Sequence, residues 1–170
     1  HNEDQKKFFH ELQNWDYFNH PNIKAPSHFE LWSDILWEAL WDEFDTMSFA
    51  VNKPDIYTTS QLIISDGITD FSDRLITPSE ETPNNLINYS FNIAVDSLNQ
   101  WLNDNGNDYS WSEFKGTEIN HLISSFTSFN SKNISIGGNH NIVNAASKHH
   151  GPSWRMVVEM DPKGINAYGV

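Results

Sequence analysis

Hydrophobic residues recur at helical spacing near the start of the chain. The apolar side chains of this stretch are Phe8, Phe9, Leu12 and Trp15. They fall on one face of a helix, and the turn-forming sequence Asn19-His20-Pro21 follows them. The pattern predicts a short amphipathic helix and then a loop.

A longer and more hydrophobic helix is predicted to begin at Ser27. Ser27 and Glu30 have the spacing of a capping box, in which both side chains accept hydrogen bonds from amides that the first turn leaves free. The apolar positions of this helix are Phe29, Leu31, Trp32, Ile35, Leu36, Trp37, Leu40, Trp41 and Phe44. They cover nearly the whole circumference. We therefore expect other polypeptide to cover this helix on several sides.

The middle of the chain is less regular, and a second clear helix follows it. Tyr57–Ser65 is rich in residues that favour a strand, and Asp66-Gly67 is a turn sequence. Thr82 precedes Pro83, which is typical of an N-cap followed by proline at the first helical position. The helical pattern then continues as far as Gly106.

The last third of the chain changes to the two-residue period of strands. The alternating apolar residues are Trp154, Met156, Val158 and Met160. The turn sequence Asp161–Gly164 follows and leads into Ile165–Val170, so the pattern predicts an antiparallel hairpin. An earlier strand is expected at Ile134–Asn144, with Gly137-Gly138 as its bend.

The order of the predicted elements indicates the fold class. Helices followed by antiparallel strands make an α+β protein, and no internal repeat or low-complexity linker divides the chain. We expect residues 1–170 to form a single domain or a fragment, with 1–130 mainly helical and 131–170 contributing the β part. The predicted hairpin reaches Val170 with no cap or polar tail, which favours the interpretation as a fragment.

Composition argues against several classes of function. The formal net charge is −13 and the only arginines are Arg74 and Arg155, so binding to nucleic-acid phosphates or acidic membranes is not expected. The chain has no cysteine, which excludes disulfides and a thiol nucleophile. No apolar run approaches the ~18 residues of a membrane span. The abundance of Asn, Ser and Thr favours a secreted or periplasmic location.

One motif near the end of the chain resembles a known enzyme family. Its residues are Gly151, Pro152, Ser153, Trp154 and Arg155, followed by Met156–Glu159. This sequence is similar to the G-P-S-W-R-M-V strand of the penicillin amidase family, and Asn141–Ala146 before it resembles the family's V-N-A segment. We expect the motif to have a structural role.

Two further segments carry the same resemblance. Leu12–Asp16 is similar to the family's L-x-x-W-D, and the tryptophan-containing helix follows it as in the family. Trp111, Lys115 and His121-Leu122 are similar to a segment that reads W-x-W-G and ends in histidine, although Glu113 stands where the family often repeats tryptophan.

The resemblance implies an N-terminal nucleophile hydrolase with a four-layer αββα sandwich. In that family an autocatalytic cut exposes a serine whose own α-amine acts as the base, and amides of hydrophobic acyl groups are cleaved. The nucleophile, the oxyanion-hole residues and the calcium ligands of the family lie upstream of the segments matched here. The resemblance therefore assigns this chain no catalytic residue, no metal ligand and no cofactor.

The same resemblance implies the partners. The chain begins with His1, which has no hydroxyl or thiol to act as a nucleophile, so we expect it to be inactive alone. Its main partner would be the remainder of the acylase polypeptide, and the substrate of the whole enzyme would be a small acyl amide such as a penicillin or an N-acyl homoserine lactone. Uncovered helical faces would favour self-association of the fragment.

Several residues allow a functional and a structural interpretation. Arg155 is either an anion hook for a substrate carboxylate or a structural charge paired with Glu159, and we favour the second. His140, His149 and His150 lack a recurring metal-ligand spacing. Ser153 lacks the glycine-flanked elbow that exposes a serine nucleophile.

The tryptophans define an alternative class of function. The residues concerned are Trp32, Trp37, Trp41, Trp101, Trp111 and Trp154. If they were exposed, they could stack on sugars, and the chain would be a free-standing aromatic-rich carbohydrate-binding module. Most lie on apolar helical faces, so burial in a core is the expected outcome.

Overall fold

The computed structural model describes residues 3–65, 82–106, 108–140, 142–151 and 156–169. Three sequence predictions fall outside the described residues: the turn at Asp66-Gly67, the motif residues Pro152, Ser153, Trp154 and Arg155, and the last residue of the hairpin, Val170. Within the described part the chain is an α+β protein, as predicted, with five α-helices and one two-stranded antiparallel sheet.

The chain divides into two compact units. The first consists of His1–Asp16 and Lys24–Asp108, and the second of Tyr17–Ile23 and Tyr109–Val170. The division after residue 130 stays a prediction. Among the described residues, no helix has both the length and the apolar character needed to cross a membrane.

The first unit is helical. Its helices are α1 (Glu3–Gln13), α2 (Ala25–Leu40), α3 (Ile56–Ile64) and α4 (Pro83–Asn105), and a 3₁₀ helix spans Asp42–Thr46. Helix α2 packs against the other three α-helices. The centre of one contact is a buried cluster of Ala39, Leu40, Trp41 and Leu86, which α3 covers with Leu62 and Ile63.

Helix α2 begins earlier than the sequence predicts. It starts at Ala25, with Lys24 as the N-cap residue, so the prediction that Ser27 begins the helix is wrong. The amide of Ser27 already donates to the carbonyl of Lys24, at 3.1 Å. Ser27 and His28 are buried in the first turn, and Pro26 occupies a position there where a missing amide is tolerated. Burial of the first turn therefore overrides the capping pattern.

The strand predicted over Tyr57–Ser65 is helix α3, so that prediction is wrong. The carboxylate of Asp55 accepts a hydrogen bond from the amide of Thr58, at 2.7 Å, and this bond begins the helix. The β-branched residues tolerate the helix because Leu62 and Ile63 pack on the Leu40 cluster. Tertiary packing decides the conformation of this short segment.

Helix α4 confirms its predicted boundaries. The hydroxyl of Thr82 accepts from the amide of Asn85, at 3.2 Å, and Pro83 occupies the first helical position. At the other end, the amide of Gly106 donates to the carbonyl of Leu102, at 2.9 Å. The buried face of α4 consists of Leu86, Ser90, Phe91, Ala94, Val95 and Leu98.

The second unit combines a short helix, extended loops and the predicted hairpin. Helix α5 spans Trp111–Lys115, and strands β1 (Met156–Asp161) and β2 (Gly164–Gly169) pair antiparallel, which confirms the hairpin. The strand expected at Ile134–Asn144 is wrong. The described residues of that segment form a loop, held by an isolated bridge between Asn139 and Ala145.

Candidate functional site

Helix α5 carries Trp111 and Lys115, which belong to one of the segments that resemble the family. The side chains of both residues bind the same loop. The ammonium of Lys115 donates to the carbonyls of Ile136, Gly137 and Gly138, at 3.0, 2.9 and 3.2 Å. The buried indole of Trp111 donates to the same Gly138 carbonyl, at 2.8 Å. The Lys115 ammonium also lies 5.4 Å from the centroid of the Trp111 ring. The two side chains therefore fix the 136–138 loop against α5.

The hydrogen-bond donors of Lys115 are all directed at this loop. An ammonium has three N–H donors, and three carbonyl oxygens lie within hydrogen-bonding distance of it. Burial lowers the pKa of Lys115, because a low-dielectric environment disfavours the charged form. Since its donors are directed at the loop, the geometry indicates a structural lysine rather than a ligand for a substrate anion.

The loop requires glycine at two of the three positions whose carbonyls bind Lys115. Gly138 has a φ of +81°, and a Cβ atom there would overlap the backbone carbonyl of Asn144. A Cβ at Gly137 would overlap the backbone carbonyl of Asn19. The amide of Gly138 donates to that same Asn19 carbonyl, at 3.1 Å. The glycines that the sequence suggested as a strand bend are thus sites of close backbone approach.

The hairpin presents an apolar face to its surroundings. Register pairs Val158 with Ala167 and Met160 with Ile165, so these four side chains lie on one face. Met160 is 81% exposed and Ile165 is 69% exposed. A two-stranded hairpin is only marginally stable in water by itself. An uncovered apolar face on such a hairpin is typical of a strand pair that packs against further polypeptide.

Of the predicted structural motif, the structure describes Gly151 alone. Gly151 is half-buried, and a Cβ there would lie 3.5 Å from the Cδ1 atom of Ile136, in ordinary contact. Pro152, Ser153, Trp154 and Arg155 lie outside the described residues. Both interpretations of Arg155 therefore stay predictions.

The histidines near the motif bond to separate groups. The Nδ1 atom of His140 lies 2.9 Å from the amide oxygen of Asn139, and that of His149 lies 3.8 Å from a carboxylate oxygen of Glu118. The Nδ1 atom of His150 lies 3.3 Å from the carbonyl of Gly151. Throughout the part of the chain that the structure describes, no three His, Asp or Glu side chains group closely enough to hold a metal ion.

Among the helical tryptophans, Trp41 and Trp111 are buried as expected, whereas Trp32, Trp37 and Trp101 are only partly buried. The indole N–H of Trp32 donates to the hydroxyl of Ser90, at 3.0 Å, and that of Trp41 to the hydroxyl of Thr59, at 2.8 Å. Trp37 donates to the carbonyl of Pro54, at 2.6 Å. Internal acceptors therefore take the polar group of each of these tryptophans, and the buried ring of Trp41 is not available for stacking on a sugar.

A groove in the first unit is the clearest candidate for a ligand site. It has a volume of about 400 Å³ and opens between α1, α2 and α4. Its apolar lining consists of Phe9, Leu12, Trp32, Ile87 and Phe91, and its polar lining of Gln5, Lys6, Gln13 and Asn88. A concave, mainly apolar site with a few polar groups suits a small hydrophobic molecule. The sequence revealed the apolar faces of α1 and α2 but not the groove, because the groove arises from the packing of three helices.

His28 lies behind one wall of this groove. Its ring is fully buried, 4.7 Å from the Phe8 ring and 5.1 Å from the Phe91 ring. Neither ring nitrogen has a hydrogen-bond partner among the residues that the structure describes. Burial lowers the pKa of His28 to about 4, so the ring is neutral near pH 7. Because no hydroxyl of the described residues hydrogen-bonds to it, His28 is not placed to activate a serine of the described part of the chain.

These features define an α+β protein whose polar side chains mainly fix loops and helices and whose hairpin offers an apolar face. The chain belongs to the penicillin amidase family, because the sequence model of that family matches residues 1–170, the whole chain. The match confirms the resemblance seen in the sequence motifs and makes the chain a member of an acylase-like amidase family. No curated protein and no solved structure matches the chain.

Proposed function

We propose that this chain is the C-terminal structural portion of an acylase that hydrolyses amide bonds of hydrophobic acyl groups. Penicillins and N-acyl homoserine lactones are the substrate classes that we infer for the whole enzyme. The observation that carries the proposal is the family match, which extends over the complete chain rather than over one motif.

In this proposal the reacting hydroxyl belongs to another part of the acylase polypeptide. The polar chemistry of the described residues supports a scaffold role. The hydroxyl of Ser90 donates to the carbonyl of Leu86, at 2.6 Å, and accepts from Trp32. Lys115 is held by loop carbonyls, and His28 has no hydrogen-bond partner within the described ranges of the chain. Nucleophilic catalysis needs a hydroxyl within hydrogen-bonding distance of a base. The Ser90 hydroxyl and the Lys115 ammonium bond to other groups, and neither is paired with the other or with His28.

The hairpin is the part of the chain that we propose to join the catalytic sandwich. Its apolar face would pack against the remainder of the acylase. The burial of an apolar side chain contributes roughly 1.5 to 3 kcal/mol, so covering Met160 and Ile165 would make this contact substantial. In the proposal this segment contributes no cofactor, and the calcium site of the family lies outside it.

Turnover by the separated and the assembled protein tests the proposal. The purified chain should not hydrolyse a chromogenic phenylacetyl amide, and co-expression with the remaining acylase polypeptide should give a complex that does. The remaining polypeptide expressed without this chain is the control and should also be inactive. Hydrolysis by the purified chain at the rate of the complex would overturn the proposal.

A further inference from the structure

The groove between α1, α2 and α4 has walls suited to a hydrocarbon or aromatic group. Phe9 and Leu12 form the wall from α1, Trp32 contributes from α2, and Ile87 and Phe91 from α4. The rings of Trp32 and Phe91 meet edge to face, with centroids 5.6 Å apart. The indole N–H of Trp32 is already bonded to Ser90, so the tryptophan offers the groove its apolar ring.

The polar groups of the groove are amides and one cation. Lys6 bonds to Glu3 at 2.8 Å, but both side chains are largely exposed, so this ion pair contributes only about 0–1 kcal/mol. A ligand carboxylate can therefore exchange with Glu3 at small cost. Gln5 and Gln13 add amide groups on the same helix. The described residues that line the groove include no Glu or Asp, although the chain carries a net charge of −13.

We propose that this groove binds a hydrophobic monocarboxylate, with its chain or ring between Phe9, Trp32 and Phe91 and its carboxylate at Lys6. The apolar walls would bind the hydrocarbon part of the ligand, and the ammonium of Lys6 would favour a negatively charged carboxylate over a cation. The volume of about 400 Å³ lies within the usual range of small-ligand sites, roughly 300 to 1,000 Å³. The proposal does not depend on the proposed amidase function, because it involves the first unit alone.

Binding is measured with octanoate, and octylammonium serves as the ligand of opposite charge. The ring C–H resonances of His28 report on the adjacent Phe91, and the change in tryptophan fluorescence that is lost in Trp32→Phe reports on Trp32. Since burial keeps His28 neutral, its resonances do not titrate near pH 7. Octanoate should shift these signals saturably and bind at least about threefold more tightly than octylammonium, as expected for one exposed charge contact.

Matched variants assign the site. Phe9 and Phe49 are both exposed, at 55% and 68%. Replacement of either by glutamate should therefore not prevent folding. Phe9→Glu removes an apolar wall and places a negative charge beside the carboxylate, so affinity for octanoate should fall at least tenfold. Phe49→Glu, outside the groove, should leave affinity unchanged. Lys6→Gln should reduce affinity about threefold.

Several outcomes would overturn the proposal. They are unchanged His28 signals with octanoate, equal affinity in Phe9→Glu, or octylammonium binding as tightly as octanoate. Binding to the isolated chain but not to the complete acylase would show that the remaining polypeptide covers the groove. A sedimenting dimer that octanoate dissociates would show that a second copy occupies it. None of these readouts depends on amide hydrolysis, so failure here is distinguishable from failure of the amidase proposal.

Discussion

At the scale of single residues, the loop at Gly137-Gly138 has little room for any side chain. Gly138 adopts a left-handed φ, and a Cβ there would overlap Asn144. We predict that Gly138→Ala lowers the free energy of unfolding by about 3 kcal/mol or more, since left-handed strain and a backbone clash combine. Gly164→Ala is the control, because a Cβ there meets nothing within 4 Å. Equal denaturant midpoints for the two variants would contradict the prediction.

His28 makes stability depend on pH. Its folded pKa of about 4 lies below the ordinary histidine pKa of 6.5, so the folded state favours the neutral ring. The unfolded chain binds the proton more tightly, and stability is therefore full above about pH 6.5 and falls as the pH drops towards 4. A shift of this size corresponds to roughly 3 kcal/mol.

The variant His28→Leu isolates this contribution from that of the carboxylates. Its free energy of unfolding should fall less between pH 7 and pH 4.5 than that of the unmodified protein. His149→Gln, at an exposed position, should behave like the unmodified protein. Parallel pH profiles for His28→Leu and the unmodified chain would show that the buried ring does not titrate as described.

At the scale of elements, sequence patterns succeed where a local signal and the packing agree. Helix α4 follows directly from Thr82-Pro83 and Gly106, and the hairpin from alternation around Asp161–Gly164. Tyr57–Ser65 is a helix because the Asp55 cap and contacts with the Leu40 cluster outweigh β propensity. The loop at 134–144 depends on Lys115, 19 positions or more away in sequence, which no local window detects.

The hairpin gives a prediction at this scale because its two faces differ. Met160→Asp places a charge on the apolar face, and we expect it to prevent co-purification with the remaining acylase polypeptide and to abolish turnover of the complex. Glu159→Gln, on the opposite face of the same strand, should retain both. Gel filtration after co-expression measures assembly, and a stable complex containing Met160→Asp would show that this face is not the contact.

At the scale of the whole molecule, the sequence identified the family and the α+β class, and the family match and the structure confirm both. The site was less accessible to sequence reasoning. Lys115 and Trp111 were recognised as motif residues, but their shared loop was not, and the groove needs three helices in contact. The buried, unpartnered ring of His28 had no sequence signal, because the residue lay inside an apparent capping motif.

The central claim is that the nucleophile of the acylase lies outside this chain, and covalent labelling tests it most directly. The active complex is inactivated with a serine-reactive sulfonyl fluoride, and the modified residue is located by mass spectrometry. We predict complete loss of turnover, with the single adduct on the N-terminal serine of another segment and none within residues 1–170. An adduct on a serine of this chain, such as Ser153, in proportion to the loss of activity would contradict the account.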